Sequence, residues 1–278
     1  MKEFYLTDLD KTFLRDDLSI SEYSKNTWNT LVKSGVKISI ATARSLTGVK
    51  TLLRDLEIKE PMILLDGVMI ATIDGEILDL KYLQKNIADD IIEFSYKSSN
   101  IYPLIVALGE SGEEEFIYPK EMNIYQKELL KKFHNNRRLI KPENSFEAMD
   151  KNLKMVYLDT KKATAKLEYA LKKKFGRKIE IKRTKDPYLD CYFMTILHPK
   201  GDKAEALKHL ERLEGVDKSH TTVFGDSNND IGLFRVAGRK IAVSNAIDKV
   251  KALADIVLPW SNQEDGVMRF LDSELLKN

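Results

Sequence analysis

The stretch Phe4-Tyr5-Leu6-Thr7-Asp8-Leu9-Asp10-Lys11-Thr12 decides how this chain reads. Its opening, within Glu3–Leu9, is short, apolar and aromatic, the signature of a buried strand. Asp8 and Asp10 then stand two residues apart, just where that strand must emerge. Like charges crowded at a buried edge raise each other's pKa or demand a cation. A hard divalent ion such as Mg2+ suits such oxygen donors. Taken alone, the same residues also describe a loop with two surface acids and a helix cap.

Outward from this strand, the pattern alternates. A helix capped by Ser19 or Ser21 carries Trp28, Leu31 and Val32 on one face, and Gly35 stands where a left-handed terminator is wanted. Val36–Thr42 reads as a strand, Leu46–Leu56 as a helix and Pro61–Leu65 as a third strand. This β-α-β-α-β order implies a parallel sheet with helices on both faces. Asp74-Gly75, between Val68–Thr72 and Glu76–Leu80, marks a hairpin.

Residues 83–187 differ in character. Helical patterns at Lys85–Ser98, Glu121–His134 and Thr160–Phe175 alternate with strand patterns at Ile101–Ala107, Glu114–Tyr118, Leu153–Leu158 and Lys178–Arg183. They predict a separate α+β module with one sheet and helices on one side. From Cys191 the parallel pattern resumes, with strands at Cys191–Leu197, Thr221–Phe224, Lys240–Val243 and Asp255–Leu258 separated by helices. The expectation is an α/β core of residues 1–82 and 188–278, interrupted by a module of residues 83–187. Ligands of such open sheets bind at the carboxyl ends of the strands.

Composition narrows the function classes. The chain has 278 residues, 45 Lys+Arg against 43 Asp+Glu, and 43% hydrophobic residues. That apolar fraction excludes intrinsic disorder, and the balanced charge argues against a dedicated nucleic-acid binder. One cysteine, Cys191, permits no intramolecular disulfide. Acids at Glu3 and Asp8 leave no room for a signal-peptide core, and no apolar run approaches the ~18 residues of a membrane span. A soluble, cytoplasmic monomer or homodimer is expected, without nucleic-acid or membrane partners.

The second informative stretch is Val223-Phe224-Gly225-Asp226-Ser227-Asn228-Asn229-Asp230. It too follows an apolar strand and opens a helix. Asp226 would stand at the strand tip, able to reach the same ion as Asp8, and Asn229 and Asp230 would lie near a positive helix end. Helix capping alone needs only one such residue. Thr42 ends the second strand with a hydroxyl that can donate to a phosphate oxygen, and Lys203 opens a helix with a cation. Each of these two is commonly just solvated. Together they put a hydroxyl, a cation and two acid clusters at separate strand tips.

Asp8-x-Asp10-x-Thr12, Thr42, Lys203 and Gly225-Asp226-x-x-Asn229-Asp230 resemble the four motifs of the haloacid dehalogenase (HAD) superfamily, in order. The module between the second and third motifs has the position of the C2-type cap in Cof-type sugar-phosphate phosphatases. Asn245-Ala246, Ala254-Asp255 and Glu264-Asp265-Gly266-Val267 resemble that subfamily too. Departures are Lys11, Ala43 and Ala204 where the family usually has Gly, and Asp66-Gly67 where it often has Asn-Gly. Lys200 is a rival to Lys203 as the third-motif lysine, and Lys203 is preferred because the Lys203-x-x-Ala206-Leu207 pattern fits.

The resemblance implies a Rossmann-like parallel-sheet core with an inserted α+β cap of C2B type, and a Mg2+-dependent phosphatase acting on a small phosphorylated metabolite. Asp8 would be the nucleophile and Asp10 the acid–base group. Mg2+ would bind the Asp8 carboxylate, the Asp10 carbonyl and the Asp226 carboxylate. Leu9, Thr42, Lys203 and Asn229 would hold the phosphoryl group, with Thr12, Ala43, Arg44 and Asp230 in support. Most substrate specificity would come from the cap. A phosphohexomutase and a non-catalytic phosphometabolite-binding protein are the alternatives. Residues 83–187 hold 22 Lys+Arg and 16 Asp+Glu, so the near-neutral total conceals a basic module beside an acidic core.

Overall fold

The computed structural model describes residues 3–131, 138–142, 145–186 and 189–276. The chain forms two compact units, one of residues 1–80 and 202–278 and the other of residues 81–201.

The first unit is built on a five-stranded sheet in the order Ile256–Val257, Arg239–Ala242, Thr221–Gly225, Phe4–Thr7, Lys37–Ile40, parallel throughout. Phe4–Thr7 is buried along its whole length, as a near-continuous apolar run demands of a strand covered on both faces. The helix Glu22–Lys33 starts at Ser21, whose hydroxyl accepts from the Ser24 N–H, and ends before Gly35 at φ +88°. Of the two serines that could cap it, Ser21 does. Trp28 on this helix is fully buried, and its indole N–H donates to the Glu57 carbonyl at 2.8 Å.

The third expected strand is short. Met62–Leu64 touches the parallel sheet through one bridge, Ala41 to Ile63, and otherwise pairs antiparallel with Met69–Ala71, which pairs with Ile77–Leu80. The Asp74-Gly75 hairpin joins these last two strands, closed by the Thr72 N–H on the Glu76 carbonyl. The helix read over Leu46–Leu56 stops at Leu52.

The second unit is a seven-stranded sheet. Its main path runs Glu180–Lys185, Tyr192–Leu197, Lys151–Asp159, Leu104–Leu108, Glu114–Ile117, Leu139–Ile140, and Leu83–Gln84 pairs beside Lys151–Asp159. Two sequence expectations are corrected here. Tyr192–Leu197 does not resume the parallel sheet: it pairs antiparallel with both Lys151–Asp159 and Glu180–Lys185. An apolar run has the same appearance in either sheet, and only its partners decide. Nor do the helices keep to one side. Lys85–Ser99 and Lys161–Phe175 cover the face of Ile105, Met155 and Tyr157, whereas Ile124–Lys131 packs toward Leu104, Val156 and Leu158, which alternation puts on the other face. The helix expected over Glu121–His134 is described over Ile124–Lys131, and its end from residue 132 lies outside the described residues. Among the described residues, no helix is long and apolar enough to cross a membrane.

Candidate active site

Phe4–Thr7 and Thr221–Gly225 are adjacent and parallel, with Thr7 opposite Phe224. The register carries one step further, as the Asp8 N–H donates to the Phe224 carbonyl at 3.0 Å. Two neighbouring strands therefore deliver Asp8 and Asp226 side by side at their carboxyl ends. This is where an open α/β sheet presents its ligands.

Asp8, Asp226 and Asp230 are all buried, and each offers a carboxylate oxygen within 4.8 Å of the others'. Lys203, 1% exposed, sits among them. Its Nζ donates to Asp8 Oδ1 at 2.5 Å and to Asp230 Oδ1 at 2.8 Å. Of the two candidate lysines, Lys203 joins the acids; Lys200 is exposed and belongs to the other unit. Burial alone would lower the proton affinity of Lys203, but Asp230, Asp8 and Asp66 overcome it and keep the ammonium charged. Burial pushes the Asp8 carboxyl well up, with Asp230 and Asp226 adding to the rise and Lys203 opposing it. Asp226 is pushed up to about 7 by burial and by the charge of Asp230. Three buried carboxylates against one lysine leave the cluster short of positive charge.

The three acids are not equivalent. Asp230 Oδ2 accepts from the backbone N–H groups of Asp226 and Ser227, each at 3.1 Å, completing a capping box with Ser227. With Lys203 on Oδ1, Asp230 is occupied as a brace. Asp226 Oδ1 accepts from the Thr12 hydroxyl at 3.0 Å. Asp230 thus spends both carboxylate oxygens on these bonds, whereas Asp8 and Asp226 each spend one. All-oxygen, anionic donors at this spacing fit a hard divalent ion.

Asp10 behaves differently. Its carboxylate is 44% exposed and lies in a two-pronged ion pair with Arg44, Nε to Oδ2 at 2.8 Å and Nη2 to Oδ1 at 2.5 Å. It does not join the acidic cluster. Lys11, next in the chain, adopts φ +59°, and the Asn245 side chain holds its carbonyl at 2.8 Å. Leu9 is buried, and its carbonyl accepts from the N–H groups of Thr12, Phe13 and Leu14.

Thr42 is buried at the next strand end, where its hydroxyl accepts from the Arg44 N–H at 3.2 Å across Ala43. Asn229 turns to Ser227, whose hydroxyl donates to Asn229 Oδ1 at 2.5 Å, and it is not among the groups bonded to Lys203. The structure adds a residue that sequence reasoning did not place in the site. Asp66 is buried, its N–H donates to the Thr42 carbonyl at 2.9 Å, and its charge acts on Lys203. The visible signal was the Asp66-Gly67 pair itself, a tight-turn dipeptide after a buried strand.

A family model described as haloacid dehalogenase-like hydrolase matches residues 5–271. A 5-amino-6-(5-phospho-D-ribitylamino)uracil phosphatase of Bacillus subtilis is 27% identical, covering 96% of both chains. A phosphoglycolate phosphatase of Sulfurisphaera tokodaii is 49% identical over 78 residues, 27% of this chain and 31% of that one. Among solved structures, a protein of Thermotoga maritima superposes with a TM-score of 0.80 at 24% identity, covering 98% of this chain and 97% of its own. With a match over nearly its whole length, and acids, lysine and threonine gathered at neighbouring strand ends, the chain belongs to the haloacid dehalogenase-like hydrolases and groups with their phosphatases.

Proposed function

We propose that this protein is a Mg2+-dependent phosphatase that hydrolyses a small phosphate monoester through an aspartyl-phosphate on Asp8. The observation that carries the reading is the buried Asp8–Lys203–Asp230 cluster beside Asp226. In it two carboxylates share one lysine, and a neighbouring strand brings Asp226 within 4.8 Å of both.

Asp8 and Asp226 would hold Mg2+ together with the Asp10 carbonyl. The bound ion would lower the repulsion between an anionic nucleophile and an anionic phosphate. An Asp8 oxygen attacks phosphorus, the bond to the leaving oxygen breaks, and Asp10 gives that oxygen its proton. Water then attacks the phosphorus of the acyl phosphate. Asp10 takes the water proton, and the bond from phosphorus to the Asp8 oxygen breaks. Arg44 stations Asp10 at the rim and must yield its hold when Asp10 carries the proton. Thr42 and Lys203 would hold phosphoryl oxygens, Lys203 with the N–H that neither acid uses. Thr12 and Asp230 keep Asp226 and Lys203 in place. The phosphate esters named for relatives suggest a small phosphorylated metabolite here.

The test is release of inorganic phosphate from p-nitrophenyl phosphate with and without Mg2+. Turnover that needs Mg2+ and is lost in Asp8→Asn supports the reading. A native protein that releases none from this ester or from a panel of phosphorylated metabolites overturns it.

A further inference from the structure

Between the strand Met62–Leu64 and its hairpin partner lies a turn that the mechanism above does not use. Leu65, Asp66 and Gly67 take positive φ in succession, at 52°, 63° and 104°. For two non-glycine residues this backbone is costly, and such strain persists only where surroundings impose it. The surroundings here are the site itself. The Leu65 N–H donates to the Arg44 carbonyl at 3.0 Å and the Asp66 N–H to the Thr42 carbonyl at 2.9 Å. Gly67 lies flat against the start of the helix Lys203–Glu214: a Cβ there would stand 2.2 Å from the Asp202 carbonyl carbon and 2.7 Å from the Lys203 nitrogen. The turn is wedged between the loop of Thr42 and the base of Lys203, and it carries the buried residue Asp66.

We propose that Asp66 is a positioning and charge-setting residue of the phosphoryl site. It makes Lys203 answer to three carboxylates rather than two, so that the site takes a divalent cation more tightly and lets phosphate go more readily. The physical argument is one of charge. Asp8 and Asp230 already share a single ammonium and outweigh it in charge. A further buried anion nearby adds to that negative balance, which leaves Asp8 and Asp226 more attractive to a dication. The same negative charge weakens the pull of Lys203 on a phosphoryl oxygen. Buried charges are poorly screened, so one carboxylate shifts both equilibria measurably.

The inference rests on the phosphatase reading, and its test separates the two. Mg2+ binding to the whole protein is measured by titration calorimetry, and inhibition by inorganic phosphate is measured in the p-nitrophenyl phosphate assay. Asp66→Asn, which keeps the shape and removes the charge, should weaken Mg2+ binding roughly threefold to tenfold and tighten phosphate inhibition by a similar factor. Asp66→Glu, which keeps the charge, should hold both values within about twofold of native. Both constants unchanged in Asp66→Asn, or both shifted in the same sense in Asp66→Glu, overturns the inference and leaves the phosphatase reading standing. If Asp66→Asn does not fold, a native-like Asp66→Glu with unchanged constants supports the charge requirement, and one with altered constants refutes it. A native protein that releases no phosphate but still shows the Mg2+ shift in Asp66→Asn fails the phosphatase reading instead.

Discussion

At the residue scale the site is a problem in burying charge. Lys203 and Asp230 have fully buried side chains and Asp8 nearly so, which only mutual pairing makes tolerable. Removing one partner strands the others. Lys203→Met should therefore destabilise the protein by about 3–5 kcal/mol, read as a lower urea midpoint at unchanged slope. Loss of activity with full stability would show that the lysine is not the keystone of the cluster. Cys191 gives a contrast outside the site. Its thiol is buried and pushed up to about 11 by burial, with Asp186, Asp190 and Asp159 adding to the rise. The direction means fewer thiolates at any pH below that value. The folded protein at pH 8 should react with Ellman's reagent about a hundredfold more slowly than the urea-unfolded chain.

At the element scale, the turn of residues 65–67 lies between the loop of Thr42 and the start of the helix that carries Lys203. Gly67→Ala would force a Cβ into the Asp202 carbonyl at a backbone angle, φ +104°, that side chains rarely adopt. A loss of more than about 2 kcal/mol is expected, since strain at the angle and the clash act together. Thermal denaturation checks this, and an unchanged melting temperature would mean the helix Lys203–Glu214 can move aside. Other elements were legible because their signals are local. Ser21 and Asp74-Gly75 each act on residues within a turn of themselves, so capping and hairpin rules located them, Ser21 as one of two candidates. Tyr192–Leu197 was not legible in this way. Its antiparallel partners, Lys151–Asp159 and Glu180–Lys185, are chosen by packing of the second unit, and no residue within the strand encodes that choice.

At the scale of the whole molecule, two compact units each bury a core, and both tryptophans, Trp28 and Trp260, lie in the unit that carries the acidic cluster. Tryptophan fluorescence therefore follows that unit alone. A ligand that binds only the folded state stabilises it by about 2.7 kcal/mol at a hundred times its dissociation constant. Saturating Mg2+ should raise the fluorescence-detected melting temperature by roughly 5 °C or more over the EDTA-treated protein. No shift would argue that Asp8 and Asp226 hold no ion.

By itself, the sequence determined the alternation of strands and helices in the first unit, the presence of an inserted α+β module, and the acids that folding gathers beside Asp8. Those follow from periodicity, capping and the placing of acids just after apolar runs, all of which act over a few neighbours. Only the tertiary structure decided that Asp230 is a brace and Asp10 an Arg44 partner, and that the turn of Asp66 packs against the start of the Lys203 helix. Those facts depend on parallel register and on a left-handed turn, which bring together groups as far apart in the chain as Asp8 and Lys203. A charge has no local signature of its partner until folding has excluded the water between them.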